Sequence, residues 1–260
     1  MNERTQPGKY IFRLTTPYKD IFTSLYLVKT PAGDLLFDAG SFPEDAEAYT
    51  LPWLTELGVT KDSLKYIFIS HPHLDHAGGL PALLPHFPTT RVVANVQDMS
   101  KYCADRQSRH VLDGELLLDT LRVVCIPGHT ADSAALLDLR DNTLISGDCL
   151  QLYGIFGSGL WGANINFPAA HKNAIRKLRK MEIQSILPAH DYHPLGTSYV
   201  GQAAVAAALD ACEAPLDRVL ALLGEQPMQK DEEICARYNE GGKLPTLAPR
   251  IVTAIRRDLF

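Results

Sequence analysis

One stretch decides the fold of this chain: Ser70-His71-Pro72-His73-Leu74-Asp75-His76-Ala77-Gly78-Gly79, named below the histidine loop. It brings three imidazoles and one carboxylate together over residues 71–76, directly after an apolar run, Tyr66-Ile67-Phe68-Ile69, that predicts a buried strand. Imidazole and carboxylate groups are common ligands of divalent metals. This density of ligands after a strand predicts a metal site rather than a solvated loop.

The local geometry of the histidine loop predicts two metals. Pro72 fixes its own φ and disfavours helical backbone at His71, so the segment from His71 to His73 is expected to be extended. Alternate residues of an extended segment point the same way, which lets both rings bind one ion. Asp75 and His76 follow where we expect the chain to turn, before a helix beginning near Gly78. From there they can reach a second ion.

Composition limits the classes of function. A chain of 260 residues can form one large core, or one core and a small appendage. Its 46% apolar and 21% charged residues are typical of a soluble globular protein. The net charge of -5 argues against nucleic acid or an anionic membrane as a partner, so we expect a small-molecule substrate. The oligomeric state is left open, a dimer included.

Cysteine usage and the N-terminus indicate a cytoplasmic protein. The five cysteines are scattered and odd in number, and no Cys-x-x-Cys pair occurs. Reduced thiols are therefore expected, rather than a disulfide framework or a thiolate metal site. Residues 1–9 contain no apolar signal core, and no apolar run has the length of a membrane span.

Apolar strands followed by a histidine or an aspartate recur along the chain. The pattern occurs at His71, His129, Asp148 and His190. Ligands on loops that a rigid sheet holds make a site that is precise and open to substrate. Asp38 also follows a predicted strand; it is either a turn former or a carboxylate that supports the ligands.

With this ordered series, the chain resembles the metallo-β-lactamase-fold hydrolases over about Tyr10 to Leu195, and its ligand set is similar to that of glyoxalase II. The resemblance implies an α+β fold, the αββα four-layer sandwich, in which two mixed β-sheets lie face to face with helices outside and the metals at one edge. It also implies the ligands: His71, His73 and His129 for the first metal; Asp75, His76 and His190 for the second; and Asp148 bridging both. Asp38 matches an aspartate that the family keeps beside the ligands.

The resemblance implies catalysis by a hydroxide that bridges two divalent ions, which lower the pKa of the shared water towards about 7. Asp75 and Asp148 are the candidate catalytic residues. Zinc is the first choice of metal, and iron or manganese also suits mixed nitrogen and oxygen ligands. The expected substrate is a small ester or thioester. A small-molecule phosphodiesterase is the alternative enzyme, and a metabolite-binding regulatory protein that retains the metal site is the alternative outside enzymes.

Two departures narrow the family comparison. Flavodiiron members carry Glu where His73 stands. Lactone-hydrolysing members carry a tyrosine three residues after the bridging aspartate, where this chain has Gln151, which counts against a lactonase.

The chain is predicted to divide into a catalytic domain, residues 1–200, and a C-terminal helical extension, residues 201–260. The extension is Ala- and Leu-rich, and similar extensions in the family often supply one wall of the substrate pocket. Arg250, Arg256 and Arg257 in it are interpreted as a solvated helix face. The Gly- and aromatic-rich loop 150–167 is expected to form another wall. Four candidate pocket residues result, with ordinary core packing as the alternative for the three aromatic ones: Tyr153, Phe156, Trp161 and His193.

Overall fold

Two β-sheets lie face to face at the centre of the fold. The computed structural model describes residues 2–19, 21–96, 98–104, 107–150, 163–192, 196–242 and 245–260. Within these residues, one sheet has seven strands, in the order β1-β2-β3-β4-β5-β6-β7, and the other has six, in the order β13-β12-β11-β10-β9-β8. The strands of the seven-stranded sheet are β1 (Arg4–Thr5), β2 (Ile11–Tyr18), β3 (Ile21–Thr30), β4 (Gly33–Phe37), β5 (Leu64–Ile69), β6 (Arg91–Ala94) and β7 (Ser108–His110). Those of the six-stranded sheet are β8 (Leu116–Leu117), β9 (Leu121–Cys125), β10 (Ala134–Asp138), β11 (Thr143–Gly147), β12 (Ser185–Pro188) and β13 (Tyr199–Val200).

Both sheets are mixed. Strands β1 to β4 form an antiparallel meander, whereas β4, β5, β6 and β7 run parallel to one another. In the other sheet β8 to β11 are antiparallel, β11 and β12 are parallel, and β13 returns antiparallel to β12. Since the carboxyl ends of parallel neighbours meet at one edge, the loops after β4 and β5 are adjacent, as are those after β11 and β12.

Helices cover the outer faces of the two sheets. They are α1 (Pro43–Asp45), a π-helical turn (Ala46–Thr50), α2 (Leu51–Glu56), α3 (Leu74–Ala77), α4 (Leu80–Leu83), α5 (Pro168–Leu178), α6 (Gln202–Glu225), α7 (Asp231–Glu240) and α8 (Pro249–Leu259). The π-helical turn, α2, α3 and α4 share an apolar core with the seven-stranded sheet, and α5 and α6 share one with the six-stranded sheet. This arrangement confirms the predicted α+β sandwich of four layers.

The alternation of side chains along the strands explains these layers. Leu35 and Phe37 of β4 and Phe68 of β5 point into the core between the sheets, whereas Leu36 and Ile67 point to the outer helices. Both faces of these strands are therefore buried, which is why they are continuously apolar in sequence. The rings of Phe37 and Phe68 stack with their centroids 5.3 Å apart.

The histidine loop contains a short helix, α3, where the sequence predicts a turn. The chain is extended at His73, with φ -71° and ψ 154°, and α3 starts at the next residue. Asp75 and His76 therefore lie within the single turn of this helix. Gly78 does not begin a helix; it allows close packing, since a Cβ there would lie 1.9 Å from the carbonyl oxygen of Ser41. The expectation of a turn at Asp75 and His76 was therefore wrong, whereas the helix expected near Gly78 is present as α4, which begins at Leu80.

Three helices, α6, α7 and α8, form the C-terminal part of the chain. They share an apolar cluster with Ala163 and Ile165, which lie in the segment leading to α5. No helix among the described residues is both long and apolar enough to cross a membrane. The division of the chain at residue 200 stays a prediction.

Candidate metal centre

The loops after the parallel strands bring the predicted residues to one edge of the sandwich. Asp38 follows β4 and the histidine loop follows β5, while Asp148 and His190 follow β11 and β12 of the facing sheet. Backbone hydrogen bonds join the two sheets at this edge: the N–H of Ser24 donates to the carbonyl of Ala189 at 2.7 Å, and that of Ala134 to the carbonyl of Ser70 at 2.9 Å. Candidate ligands that are far apart in sequence thereby come together at this edge of the two sheets.

The first cluster consists of His71, His73 and His129. Nδ1 of His73 lies 2.9 Å from Nε2 of His71 and 3.0 Å from Nε2 of His129. His71 and His129 are buried, whereas His73 is exposed. The cluster is therefore held from inside the protein and is accessible from solvent on the side of His73.

The second cluster consists of Asp75, His76, Asp148 and His190, all buried. Nε2 of His76 lies 3.3 Å from Oδ2 of Asp75 and 3.5 Å from Oδ2 of Asp148. Nε2 of His190 lies 3.0 Å from Oδ1 of Asp148 and 3.5 Å from Oδ2 of Asp75. Two imidazoles and two carboxylates thus converge on one small volume.

Asp148 faces both clusters. Its Oδ2 atom lies 3.5 Å from Nε2 of His76 in the second cluster and 3.8 Å from Nε2 of His129 in the first. A carboxylate in this position has an oxygen within reach of an ion in either cluster.

Asp38 lies behind the second cluster and is fully buried. Its carboxylate accepts hydrogen bonds from the N–H of Ser70 at 2.8 Å and the hydroxyl of Ser70 at 3.0 Å, and its Oδ2 lies 2.7 Å from Nδ1 of His76. Its backbone is left-handed, with φ 61°. Asp38 therefore lies at a turn of the chain and contacts a ring of the site.

Backbone carbonyls orient two further rings. Nδ1 of His190 donates to the carbonyl of Phe22 at 2.6 Å, and Nδ1 of His129 donates to the carbonyl of Asn164 at 3.0 Å. A carbonyl only accepts, so Nδ1 of both rings carries a proton and Nε2 is the atom that faces the cluster. The roles of Phe22 and Asn164 could not be predicted, because a backbone carbonyl carries no residue-specific signal.

Burial keeps the rings of the first cluster neutral. It lowers the pKa of His71 well below its ordinary value, and that of His129 to about 4, although the Asp148 carboxylate opposes the shift. The pKa of the more exposed His73 is lowered too, again through burial. Neutral imidazoles bind metal without first losing a proton.

The second cluster has the opposite electrostatics. Burial disfavours the ionised form of Asp148, yet the neighbouring His190 and His76 rings hold its carboxyl pKa well below the ordinary range. Burial likewise opposes protonation of His76, but Asp75, Asp38 and Asp148 together raise its pKa well above the usual value. The ionised carboxylates of this cluster therefore stabilise positive charge beside them, either a proton on a ring or a cation in its place.

The donor atoms fit divalent cations. Nε2 of His76 is buried and has no hydrogen-bond partner among the described residues, although it faces two carboxylates. In the first cluster three neutral rings turn nitrogen atoms towards one another within about 3 Å, a contact that a shared cation would satisfy. Imidazole and carboxylate donors accept zinc, iron or manganese.

The other predicted residues have separate outcomes. Tyr153, Phe156, Trp161 and His193 lie outside the described residues. Arg250 and Arg256 do not form a purely solvated face: Arg256 donates to Asp231 of α7 at 2.7 Å, and Arg250 donates to Asn164 at 2.6 Å.

Comparisons with known proteins agree with this fold. Residues 18–101 match the model of the metallo-beta-lactamase superfamily. An atrochrysone carboxyl ACP thioesterase from Aspergillus fumigatus is 26% identical over 171 residues, covering 65% of this chain and 50% of that protein. A beta-lactamase-like protein 2 homolog from Caenorhabditis elegans is 30% identical, covering 65% of this chain and 55% of that protein. The chain thus spans about half the length of these curated relatives.

Solved structures share the architecture at low identity. A metallo-beta-lactamase family protein from Thermus thermophilus superposes with a TM-score of 0.66 at 18% identity, covering 96% of this chain and 92% of that one. A metallo-beta-lactamase from Pontibacter korlensis superposes with a TM-score of 0.62 at 20% identity, covering 82% of this chain and 99% of that one. The matched segment, the curated relatives and the shared architecture together show that this chain has the metallo-β-lactamase fold.

Proposed function

We propose that this protein is a dinuclear metal-dependent hydrolase of an ester or thioester-type small molecule. The observation that carries the proposal is the position of Asp148, whose Oδ2 atom faces both His129 and His76 at 3.8 Å and 3.5 Å. Two separate ligand clusters that share one carboxylate are suited to two adjacent ions.

The proposed roles follow the clusters. His71, His73 and His129 would hold one ion, Asp75, His76 and His190 the other, and Asp148 both. Divalent ions at this position, zinc being our first choice, acidify a water at neutral pH and polarise a substrate carbonyl.

The protein's own groups supply positioning and charge. Asp75 and Asp148 lie at the centre of the site, and the neighbouring histidines favour the ionised form of both carboxylates. Ionised carboxylates balance the charge of the cations, and His73 lies on the side open to substrate.

The choice of substrate class is supported by two observations. One of the relatives is a thioesterase by its name. The net charge of -5 counts against nucleic acid as substrate.

A substrate panel tests the proposal. The purified protein, loaded with zinc or manganese and checked for metal content, is assayed with nitrophenyl esters, acyl thioesters and a nitrophenyl phosphodiester. We expect turnover of an ester or thioester that is lost in Asp148→Ala. Faster turnover of the phosphodiester would favour the phosphodiesterase instead. A protein with two ions that hydrolyses none of these substrates would overturn the proposal.

A further inference from the structure

Arg250 links the C-terminal helix α8 to His129. Its guanidinium donates one hydrogen bond to Oδ1 of Asn166 and another to Oδ1 of Asn164, the latter at 2.6 Å. The rigid fork of an arginine can hold two acceptors at once, which the single ammonium of a lysine cannot reproduce.

The two asparagines contact His129 from different sides. Nδ2 of Asn166 donates to the carbonyl of His129 at 2.7 Å, while the carbonyl of Asn164 accepts from Nδ1 of His129 at 3.0 Å. The amide orientation of Asn166 follows from its partners: a guanidinium can only donate, so Oδ1 faces Arg250 and the NH₂ group faces the carbonyl. Backbone and ring of His129 are therefore both held by this pair.

Apolar packing fixes the other end of the link. Ile165, between the two asparagines, is fully buried and shares a cluster with Ile251, the neighbour of Arg250 in α8. The asparagines are half-buried on either side of it. The link therefore joins two elements that the core already holds together.

We propose that Arg250 is a positioning residue: through Asn164 and Asn166 it sets the ring of His129 for the ion of the first cluster. The inference rests on the proposed function, since it presupposes that His129 binds an ion. It gives the C-terminal helices a role in the metal site, beyond any contribution to a substrate pocket. In the second cluster, Asp38 contacts the ring of His76 and the carbonyl of Phe22 accepts from the ring of His190.

The test measures the affinity of each ion separately, by competition with a chromophoric chelator and by metal analysis after dialysis. In Arg250→Ala and in Asn166→Ala we expect one of the two ions to bind about tenfold more weakly, while the other is unchanged. Arg250→Lys should restore part of the loss. The double variant should lose no more than either single one, because both changes break one connection.

Two matched variants give the controls. Arg257→Ala removes an arginine of the same helix whose side chain bonds the adjacent Asp258, and should leave both affinities unchanged. Thr23→Val removes a hydroxyl that donates to Asp75 at 3.3 Å, and should instead weaken binding of the ion in the second cluster.

The outcomes separate this inference from the proposed function. A wild-type protein that binds no ion overturns both. Two ions in the wild type, bound equally well by the Arg250 and Asn166 variants, overturn the positioning role alone, whatever happens to their thermal stability. Should Arg250→Ala fail to fold, Asn166→Ala, which leaves α8 intact, carries the same expectation and the same refutation.

Discussion

Oδ2 of Asp38 and Nδ1 of His76 lie 2.7 Å apart, and neither side chain is exposed to solvent. The contact spans the loop after β4 and the helix after β5, two elements that meet because their strands are parallel neighbours. It directs Nδ1 of His76 at Asp38, so that Nε2 is the atom presented to the carboxylates of Asp75 and Asp148.

Asp38→Asn tests this relationship. Asparagine tolerates the left-handed backbone of this position, with φ 61°, and keeps the side-chain shape, but it loses the charge and one acceptor oxygen. We expect the ion of the second cluster to bind about 10- to 100-fold more weakly. Chelator competition measures the change.

Asp38→Ala separates orientation from backbone strain. It should weaken metal binding similarly and, because alanine is disfavoured at positive φ, also lower the free energy of unfolding by roughly 1 kcal/mol more than Asp38→Asn. Undiminished metal affinity in the asparagine variant would contradict the orienting role.

Removal of one ligand tests the metal centre itself. We expect His73→Ala and Asp148→Ala to lose metal and hydrolase activity together, with the larger loss of metal in Asp148→Ala because its carboxylate faces both clusters. Elemental analysis and the ester assay are run on the same samples. The matched control is His86→Ala, an exposed histidine outside the clusters. Full activity in a metal-free Asp148→Ala protein would disprove the assignment.

Gly147 precedes Asp148 and is predicted to be required as glycine. Its φ is 54°, and a Cβ would lie 2.8 Å from both Cβ and Oγ of Ser70, inside the buried edge of the two sheets. Gly147→Ala should therefore lower the free energy of unfolding by about 2 kcal/mol, from positive φ and the clash together. Chemical denaturation measures this value.

Gly224→Ala is the control for that substitution. A Cβ at this helical position meets nothing within 4 Å, so alanine should leave stability unchanged or raise it by up to about 1 kcal/mol. Equal effects of the two substitutions would show that Gly147 is not under steric constraint.

His171 is predicted to make stability depend on acid. It is fully buried in α5, its Nε2 donates to the carbonyl of Cys212 at 3.1 Å, and burial lowers its pKa to about 4. In the unfolded chain a histidine titrates near about 6.5. The unfolded state therefore binds the proton first, and stability is lost as the pH falls from about 6.5 to about 4, by up to roughly 3 kcal/mol.

His171→Gln replaces the imidazole donor with an amide donor and removes the titratable group. The difference in free energy of unfolding between wild type and variant should be constant above about pH 7 and change by about 1.4 kcal/mol per pH unit below about 6.5. Urea titrations at several pH values provide the measurement. A difference that stays constant down to pH 4 would show that His171 does not titrate as burial requires.

The ligands of the histidine loop could be predicted from sequence because they lie within a few residues of one another. The ring nitrogens of His71 and His73 are 2.9 Å apart in the structure, although the backbone bends at residues 70–72 and is extended only at His73. The buried strands β4, β5 and β11 could be predicted for the same reason. Each is a short apolar run that a histidine or an aspartate follows within two residues.

The helix α3 was not predicted, because it depends on contacts that are not local. Gly79 precedes α4, as the sequence predicts, whereas Gly78 is needed where the backbone passes Ser41, a residue of another loop. Similarly, the arginines of α8 have the spacing of a solvated face, and only the packing of α8 against residues 163–165 brings Arg250 to Asn164.

The sequence by itself determined the chemistry of the donors, their order along the chain and the strands that carry them, since these depend on residue type and on neighbours a few positions away. Tertiary structure alone decided that Asp148 faces both clusters, and that the carbonyls of Phe22 and Asn164 orient His190 and His129. The reason is physical: the convergence of strand ends depends on which strands pair and how the two sheets stack, and backbone carbonyls are the same in every residue.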